Sequence, residues 1–312
     1  MYKIKQKPED FVVKEISGVE IKGSGKYLLY KLIKRNYNTI DAVNKISRVL
    51  RIKEKQIGFA GSKDKNAITE QVISIAGTSK DRIEGVDLEG IKLGFLGYSN
   101  QPVTLGDLQG NRFEIIINSN EKIGKPTFIP NYFDEQRFSK NNVEIGRRIV
   151  KKEFAKAVLL IDNPRVKEYS QEKPNDSIGA LKRLPIRLLK MYVNSLQSYL
   201  WNEMVKKYLE EKYTVVKRVK YSEGEFVFVK EWDKKLELPL LGFGSEFSSG
   251  EFKPEDFIIK QIPEISAEGE MRKVFVEVKD FSVKKIDKRH VKVDFTLPKG
   301  SYATIVVKSI IN

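Results

Sequence analysis

Over residues 185–212 apolar side chains recur at helical spacing. Leu189, Tyr192, Val193, Leu196, Leu200, Met204 and Tyr208 fall on one face, with lysines and glutamates on the others. This predicts a long amphipathic helix whose aromatics serve a core rather than a platform for stacking bases. A rod of that length has no place in a sheet, so it divides the chain. Helical character begins near residue 151, and roughly 214–278 reads as short strands and turns. The flanks are different. Apolar and charged residues alternate at 11–16, a Gly-Ser-Gly turn follows, and further strands are predicted at 27–33, 57–60, 72–76, 91–96 and 112–117. Thr39 is the expected N-cap of a helix carrying Ile40, Val43, Ile46 and Leu50, with Asp41 in its first turn. The end of the chain reads as two strands, 291–296 and 303–307, joined by Leu-Pro-Lys-Gly-Ser. A helical insertion between β-rich flanks fits this order better than two consecutive domains. The fold class is therefore α+β, with a largely antiparallel or mixed sheet.

Charge narrows the partners. The chain holds 57 Lys+Arg against 42 Asp+Glu, a net charge of +15. Residues 1–71 alone contain 16 basic and 8 acidic side chains. An excess of this size, unevenly spread, is the footprint of a polyanion partner, and nucleic acid is expected in preference to the other reading, a solvated Lys-rich surface typical of heat-adapted proteins. There is no cysteine and one histidine, His290, so thiolate metal sites, disulfides and His-assisted nucleophiles are excluded as classes. The start, MYKIKQKPEDF, lacks the apolar core of a signal peptide, and no aliphatic run approaches the length of a membrane helix. A cytoplasmic protein is expected, without membrane association, metal, cofactor or obligate protein partner.

Four stretches carry chemistry. In AGSKDKNAITEQ a single acid, Asp64, stands between Lys63 and Lys65, just after a Gly-Ser turn and between two predicted strands. A carboxylate set among ammonium groups suits action on a substrate that carries phosphates; it also suits an ordinary surface turn. KPEDFVVKE, with Lys5 close by, is accounted for by an amphipathic strand when taken alone. NYFDEQRF puts rings, an amide and an arginine in one loop, as base-binding pockets do, although Phe133 and Phe138 serve equally as a core plug. LPKGSYAT offers Lys299, Gly300 and an aromatic at a turn. Neither it nor GSKDK has the spacing of a P-loop.

In order and wording these stretches resemble one family, the TruD family of tRNA pseudouridine synthases, over nearly the whole chain. The resemblance is carried by KQKPEDFVVKE, GSGKYLLYKLIKRNYNT, FAGSKDKNAITEQ, NYFDEQRF and FTLPKGSYAT. The pattern G-x-K-D-K-x-A-x-T-x-Q is filled by Gly61, Lys63, Asp64, Lys65, Ala67, Thr69 and Gln71. The resemblance implies that Asp64 is the catalytic residue and Lys5 a basic residue of the active site. It implies that Phe11 and Asn131 line the pocket, that Phe133 sits against the target uracil, and that Tyr302 is the aromatic of the C-terminal motif. Asp134 and Ser139 stand where the family has glycines. The implied architecture is a pseudouridine synthase catalytic domain, residues 1–156 and 277–312, interrupted by a TRUD domain at 157–276, with RNA in a basic cleft.

The implied reaction breaks the C1′–N1 glycosidic bond of a uridine in tRNA, at position 13 of the D-arm, turns the uracil and rejoins it through C5. It needs no redox step, metal or nucleotide. It needs an ionised carboxylate that attacks C1′ or C6, or that takes the proton leading to a glycal; the sequence leaves these routes open. The base must leave its stack, and Phe11, Asn131 and Phe133 are assigned to receive it. With no histidine available, Lys5 is the residue expected to hold Asp64, while Lys63 and Lys65 are expected to meet phosphates. The competing expectation is an RNA-binding or RNA-remodelling protein without chemistry, which would not need Asp64. A metal-dependent nuclease would need clustered carboxylates, and none is apparent.

Overall fold

The computed structural model describes residues 2–139 and 141–311. The chain forms two compact units. One comprises the chain up to Thr127 and from Glu277 onward, and the other Phe128–Val276.

The first unit opens with β1 (Phe11–Ser17), β2 (Tyr27–Arg35), α1 (Thr39–Leu50), β3 (Ile57–Phe59), β4 (Ile68–Ile75), the short α2 (Lys80–Glu84), β5 (Ile91–Ser99) and β6 (Leu108–Asn118). The second unit contains β7 (Phe128–Pro130), then α3 (Asn142–Val150), α4 (Phe154–Leu159), α5 (Pro164–Glu172), α6 (Ser177–Leu181) and α7 (Ile186–Lys212). It continues through β8 (Val215–Tyr221), β9 (Gly224–Val229), β10 (Glu237–Leu240) and β11 (Glu270–Lys273), and ends within β12 (Phe275–Glu277). The chain then returns to the first unit with β13 (Lys279–Lys285), β14 (His290–Pro298) and α8 (Ala303–Ile310).

The sheet of the first unit has eight strands in the order β13-β14-β6-β1-β4-β2-β5, with β3 also paired to β4. Every pairing is antiparallel except β1 with β4. The alternation of β2 puts Leu28, Tyr30 and Leu32 on one face, where α1 covers them with Ala42, Val43, Ile46 and Leu50. Burying each large apolar side chain contributes about 1.5–3 kcal/mol, so this layer fixes the relation of α1 to β2 and β4. A line of rings, Phe11, Phe113, Phe295 and Phe281, crosses β1, β6, β14 and β13 with centroids 6.2, 5.5 and 6.2 Å apart.

Two sequence expectations are corrected in this unit. Thr39 is not the cap of α1: Asn38 is, its side chain accepting from the Asp41 amide at 2.8 Å, and Thr39 is buried inside the first turn. Residues 303–307 form part of α8 rather than a strand. Val and Ile favour strands, but Ala303, Val306, Val307 and Ile310 share a buried helical face, Ile305 is buried on another, and that packing overrides propensity. Gly300, at φ +80°, makes the turn that separates β14 from it.

In the second unit α7 keeps its predicted extent, and Leu189, Tyr192, Val193 and Leu196 of the expected stripe are buried, but beyond them the buried row departs from it. Leu189, Val193, Gln197, Trp201, Val205 and Leu209 are buried at every fourth residue, whereas Leu200, Met204 and Tyr208 are only half-buried. Gln197 hides this row from an apolar count; its amide donates to the carbonyls of Leu241 and Glu268 at 2.9 and 3.1 Å. The packing of α3 within this unit has a local cause. At Gly146 of α3 a Cβ would lie 2.1 Å from the Tyr192 carbonyl oxygen, so α3 lies directly on α7.

Candidate active site

The first unit holds Asp64 in the connection between β3 and β4, on a frame of buried polar groups. The Lys63 amide donates to the Thr39 hydroxyl at 2.9 Å, and that hydroxyl donates to Gln71 Oε1 at 2.8 Å. Gln71 Nε2 closes the circuit on the Gly61 carbonyl at 3.1 Å. Thr39, Ala67, Thr69 and Gln71 are all 0–1 % exposed. The last three recur at the strand period, so the inward face of β4, continued back to Ala67, meets the loop that leads into it. Lys63 turns inward as well. Its Nζ lies 2.5 Å from Glu15 Oε2, in a pair with side chains 6 % and 0 % exposed, while Glu15 Oε1 accepts the Val72 amide at 3.2 Å. Lys63 is thus bound to a buried carboxylate rather than directed to an RNA phosphate, and of the two lysines only Lys65 is exposed.

Lys34, which the sequence reading passed over, completes the frame. Its side chain has no exposure, and its Nζ donates to the main-chain carbonyls of Asp64 at 2.9 Å, Lys63 at 3.4 Å and Tyr37. The signal was present. Leu28, Tyr30, Leu32 and Lys34 share the inward phase of β2, so a lysine continues an apolar row.

The carboxylate of Asp64 points away from this frame and is 31 % exposed. Lys5 Nζ donates to its Oδ2 at 2.6 Å. Lys5 has a left-handed backbone, φ +55°, a costly conformation for a residue with a Cβ. The segment is tied down by reciprocal Lys3–Asn118 main-chain bonds of 3.0 and 2.9 Å. The same ammonium lies 4.0 Å from the centroid of the Phe11 ring. Phe11 is 3 % exposed, so in this structure it supports Lys5 instead of opening onto a pocket. Tyr302 stands at the start of α8, half-buried, its carbonyl accepting from the Ile305 amide at 3.1 Å.

The second unit holds Asn131 and Phe133. The Asn131 amide nitrogen of the main chain donates to the Val274 carbonyl at 2.7 Å, and Nδ2 donates to the Lys273 carbonyl at 3.1 Å. Its Oδ1 accepts from the Arg272 guanidinium at 3.0 Å, and its carbonyl accepts from Trp201 Nε1 at 3.2 Å. Asn202 grips Phe133 at both main-chain atoms, at 3.0 and 2.8 Å. The Phe133 ring is 8 % exposed with the Arg272 guanidinium 4.2 Å from its centroid. Phe138 is fully buried beside Tyr221. Arg272, Trp201 and Asn202 were not singled out from the sequence. Polar residues on the buried face of α7, Gln197, Ser198 and Asn202, were the available sign that this helix carries a loop.

Comparison with known proteins gives this arrangement a context. The family model described as tRNA pseudouridine synthase D (TruD) matches residues 2–172, 162–238 and 246–310. The chain belongs to the TruD family. A tRNA pseudouridine synthase D from Aquifex aeolicus is 31 % identical, covering 99 % of this chain and 97 % of that protein. A protein from Nanoarchaeum equitans, named a probable tRNA pseudouridine synthase D, is 30 % identical, with 99 % and 98 % covered. The crystal structure of the Methanosarcina mazei TruD protein matches with a TM-score of 0.66 at 28 % identity, covering 99 % of this chain and 93 % of that one. The α+β architecture with its mixed sheet is thus that of TruD proteins. The TruD pattern around Asp64 has a physical explanation here: Lys63, Ala67, Thr69 and Gln71 all point into the frame, while Asp64 and Lys65 point out of it. The two departures from the family loop are accommodated. Asp134 adopts extended backbone at φ −91°, and neither it nor Ser139 has positive φ, so no glycine is required. Among the described residues no three His, Asp or Glu side chains are grouped to hold a metal, and no helix is long and apolar enough to cross a membrane.

Proposed function

We propose that the protein converts one uridine of tRNA, position 13 of the D-arm, to pseudouridine, with Asp64 as the nucleophile. The observation that carries this reading is the Lys5–Asp64 pair. A carboxylate one-third exposed, held at 2.6 Å by the Lys5 ammonium, is mounted on a frame whose other polar groups are buried. Fixed main chain and an accessible side chain are what a nucleophile needs to meet a sugar carbon repeatedly in one geometry. Lys5, itself seated on the Phe11 ring, orients the carboxylate and offers positive charge beside the reacting ribose. In the second unit Asn131 and Phe133 receive the flipped uracil. Stacking on the Phe133 face that Arg272 covers requires the guanidinium to swing aside, which releases Asn131 Oδ1 to accept from the base. Lys65, exposed beside Asp64, is assigned to a backbone phosphate, together with the exposed lysines of the first unit.

Isomerisation leaves the mass and length of the RNA unchanged. The hydrogen on C5, however, leaves as a proton when C5 becomes the glycosidic carbon, and N1 gains one. A tRNA transcript tritiated at uridine C5 is therefore expected to release about one equivalent of tritium to water with the protein alone. Asp64→Asn is expected to bind the tRNA equally well and release none. Tight binding by the wild type with no release from any tRNA of a complete pool would leave an RNA-binding protein without chemistry. Mapping the modified uridine in that pool tests position 13.

A further inference from the structure

We propose that Lys34 is a positioning residue for this reaction, its buried ammonium gripping the main chain of Asp64 and Lys63 and tying it to Tyr37 at the entry to α1. The inference rests on the reading of Asp64 as the catalytic carboxylate. Asp64 is held at its side chain and at its main chain. Lys5 takes its carboxylate at 2.6 Å, and Lys34 takes its carbonyl at 2.9 Å. A lysine on the inward row of β2 is costly, since burying a charge is unfavourable unless it is well bonded. An apolar residue would continue the packing of Leu28, Tyr30 and Leu32. What it would not supply is three donors at one point, and three carbonyls from two segments converge there. The lysine therefore sets where the loop sits, while the packing around it is complete without a charge.

Burial pulls the Lys34 ammonium down to about 8, with Asp64 opposing that shift and Lys63 adding to it. The charged groups around it are Asp64 with Lys5, Lys63 with Glu15, and Arg35 with Glu9 on its own strand. Below about pH 8 the ammonium holds all three carbonyls; above it a neutral amine turns a lone pair toward one of them. The linkage has the opposite sign for the fold. Because the folded state gives up this proton more readily than the unfolded chain, the contribution of Lys34 to stability rises between about pH 8 and the ordinary lysine range. Loss of positioning and loss of structure therefore move in different directions with pH.

The test is single-turnover tritium release from pH 6.5 to 9.5 by wild type, Lys34→Met and Asp64→Asn, with Tm recorded at each pH. Wild type is expected to lose turnover as pH rises through about 8 while its Tm holds or increases. Lys34→Met is expected to bind tRNA within twofold of wild type, to turn over ~10²-fold more slowly, and to lack the alkaline decline. A folded Lys34→Met within threefold of wild type overturns the proposal, and so does an alkaline decline that persists in it. If Lys34→Met does not fold, the wild-type profile decides, and a flat one overturns the proposal. Asp64→Asn separates the two readings. If it is inactive while Lys34→Met is normal, only the role of Lys34 falls; if it is active, the reading of Asp64 falls first.

Discussion

At Lys63 a residue with an expected surface role is committed to the interior. Its ion pair with Glu15 joins the Asp64 loop to β1 and, through the Val72 amide, to β4. Such a pair contributes little net stability against a well-packed apolar substitute, but removing one partner strands the other charge. Glu15→Ala is therefore expected to lower the free energy of unfolding in urea by about 3–5 kcal/mol. Glu15→Leu combined with Lys63→Met should recover most of that loss while activity stays low, because the loop loses its link to β1. A loss below about 1 kcal/mol for Glu15→Ala would mean that water reaches Lys63 and that the pair does not brace the loop. The acid between lysines was visible in the sequence. The destinations of the two lysines were not, because they depend on Glu15, 48 residues away in sequence, and on the phase of β4. Lys34 was legible in principle, as a charge on the inward phase of a strand.

At the scale of elements, period reading succeeded where one face of a segment is uniformly apolar. β1, β2, β5, β6 and α1 lie close to where alternation and helical spacing put them. It failed where the buried face carries polar groups with a purpose, as at Gln197 of α7, and where Val and Ile fill a helix, as in α8. Across the sheet, charge does what apolar contact does elsewhere. Glu114 of β6 lies 2.6 Å from Lys14 of β1 and 2.6 Å from Lys292 of β14, clipping three strands together. Hydrogen bonds from Lys14 and then Lys292 bring its carboxyl down to about 2. A carboxylate depressed on folding stabilises above its ordinary range and loses that contribution as pH falls toward the folded value. Wild type is therefore expected to melt higher than Glu114→Gln at pH 6, with the gap closing between about pH 4.5 and 2. A gap of constant size over that interval would assign the difference to packing.

For the whole molecule the relevant quantity is where the charge lies. The first unit, which holds Asp64 and Lys5, carries 30 basic and 19 acidic residues; the second carries 27 and 23. Most of the +15 therefore belongs to the unit that bears the carboxylate. A negatively charged nucleophile approaching a polyanionic substrate needs this, since its own charge opposes the encounter. The field of the unit, not any single contact, is what draws the RNA in. Binding should then depend on salt in the manner of counterion release. If about six phosphates are neutralised, affinity for tRNA falls ~10³-fold between 50 and 200 mM salt. Chemistry on the bound complex should change little over the same interval, because Asp64 and Lys5 form a close, partly buried pair that salt screens weakly. Filter binding gives the first quantity, and single-turnover tritium release at saturating protein gives the second. A flat affinity with a falling rate would reverse the assignment: the positive charge would then serve the reaction, and recognition of the RNA would rest on shape and stacking.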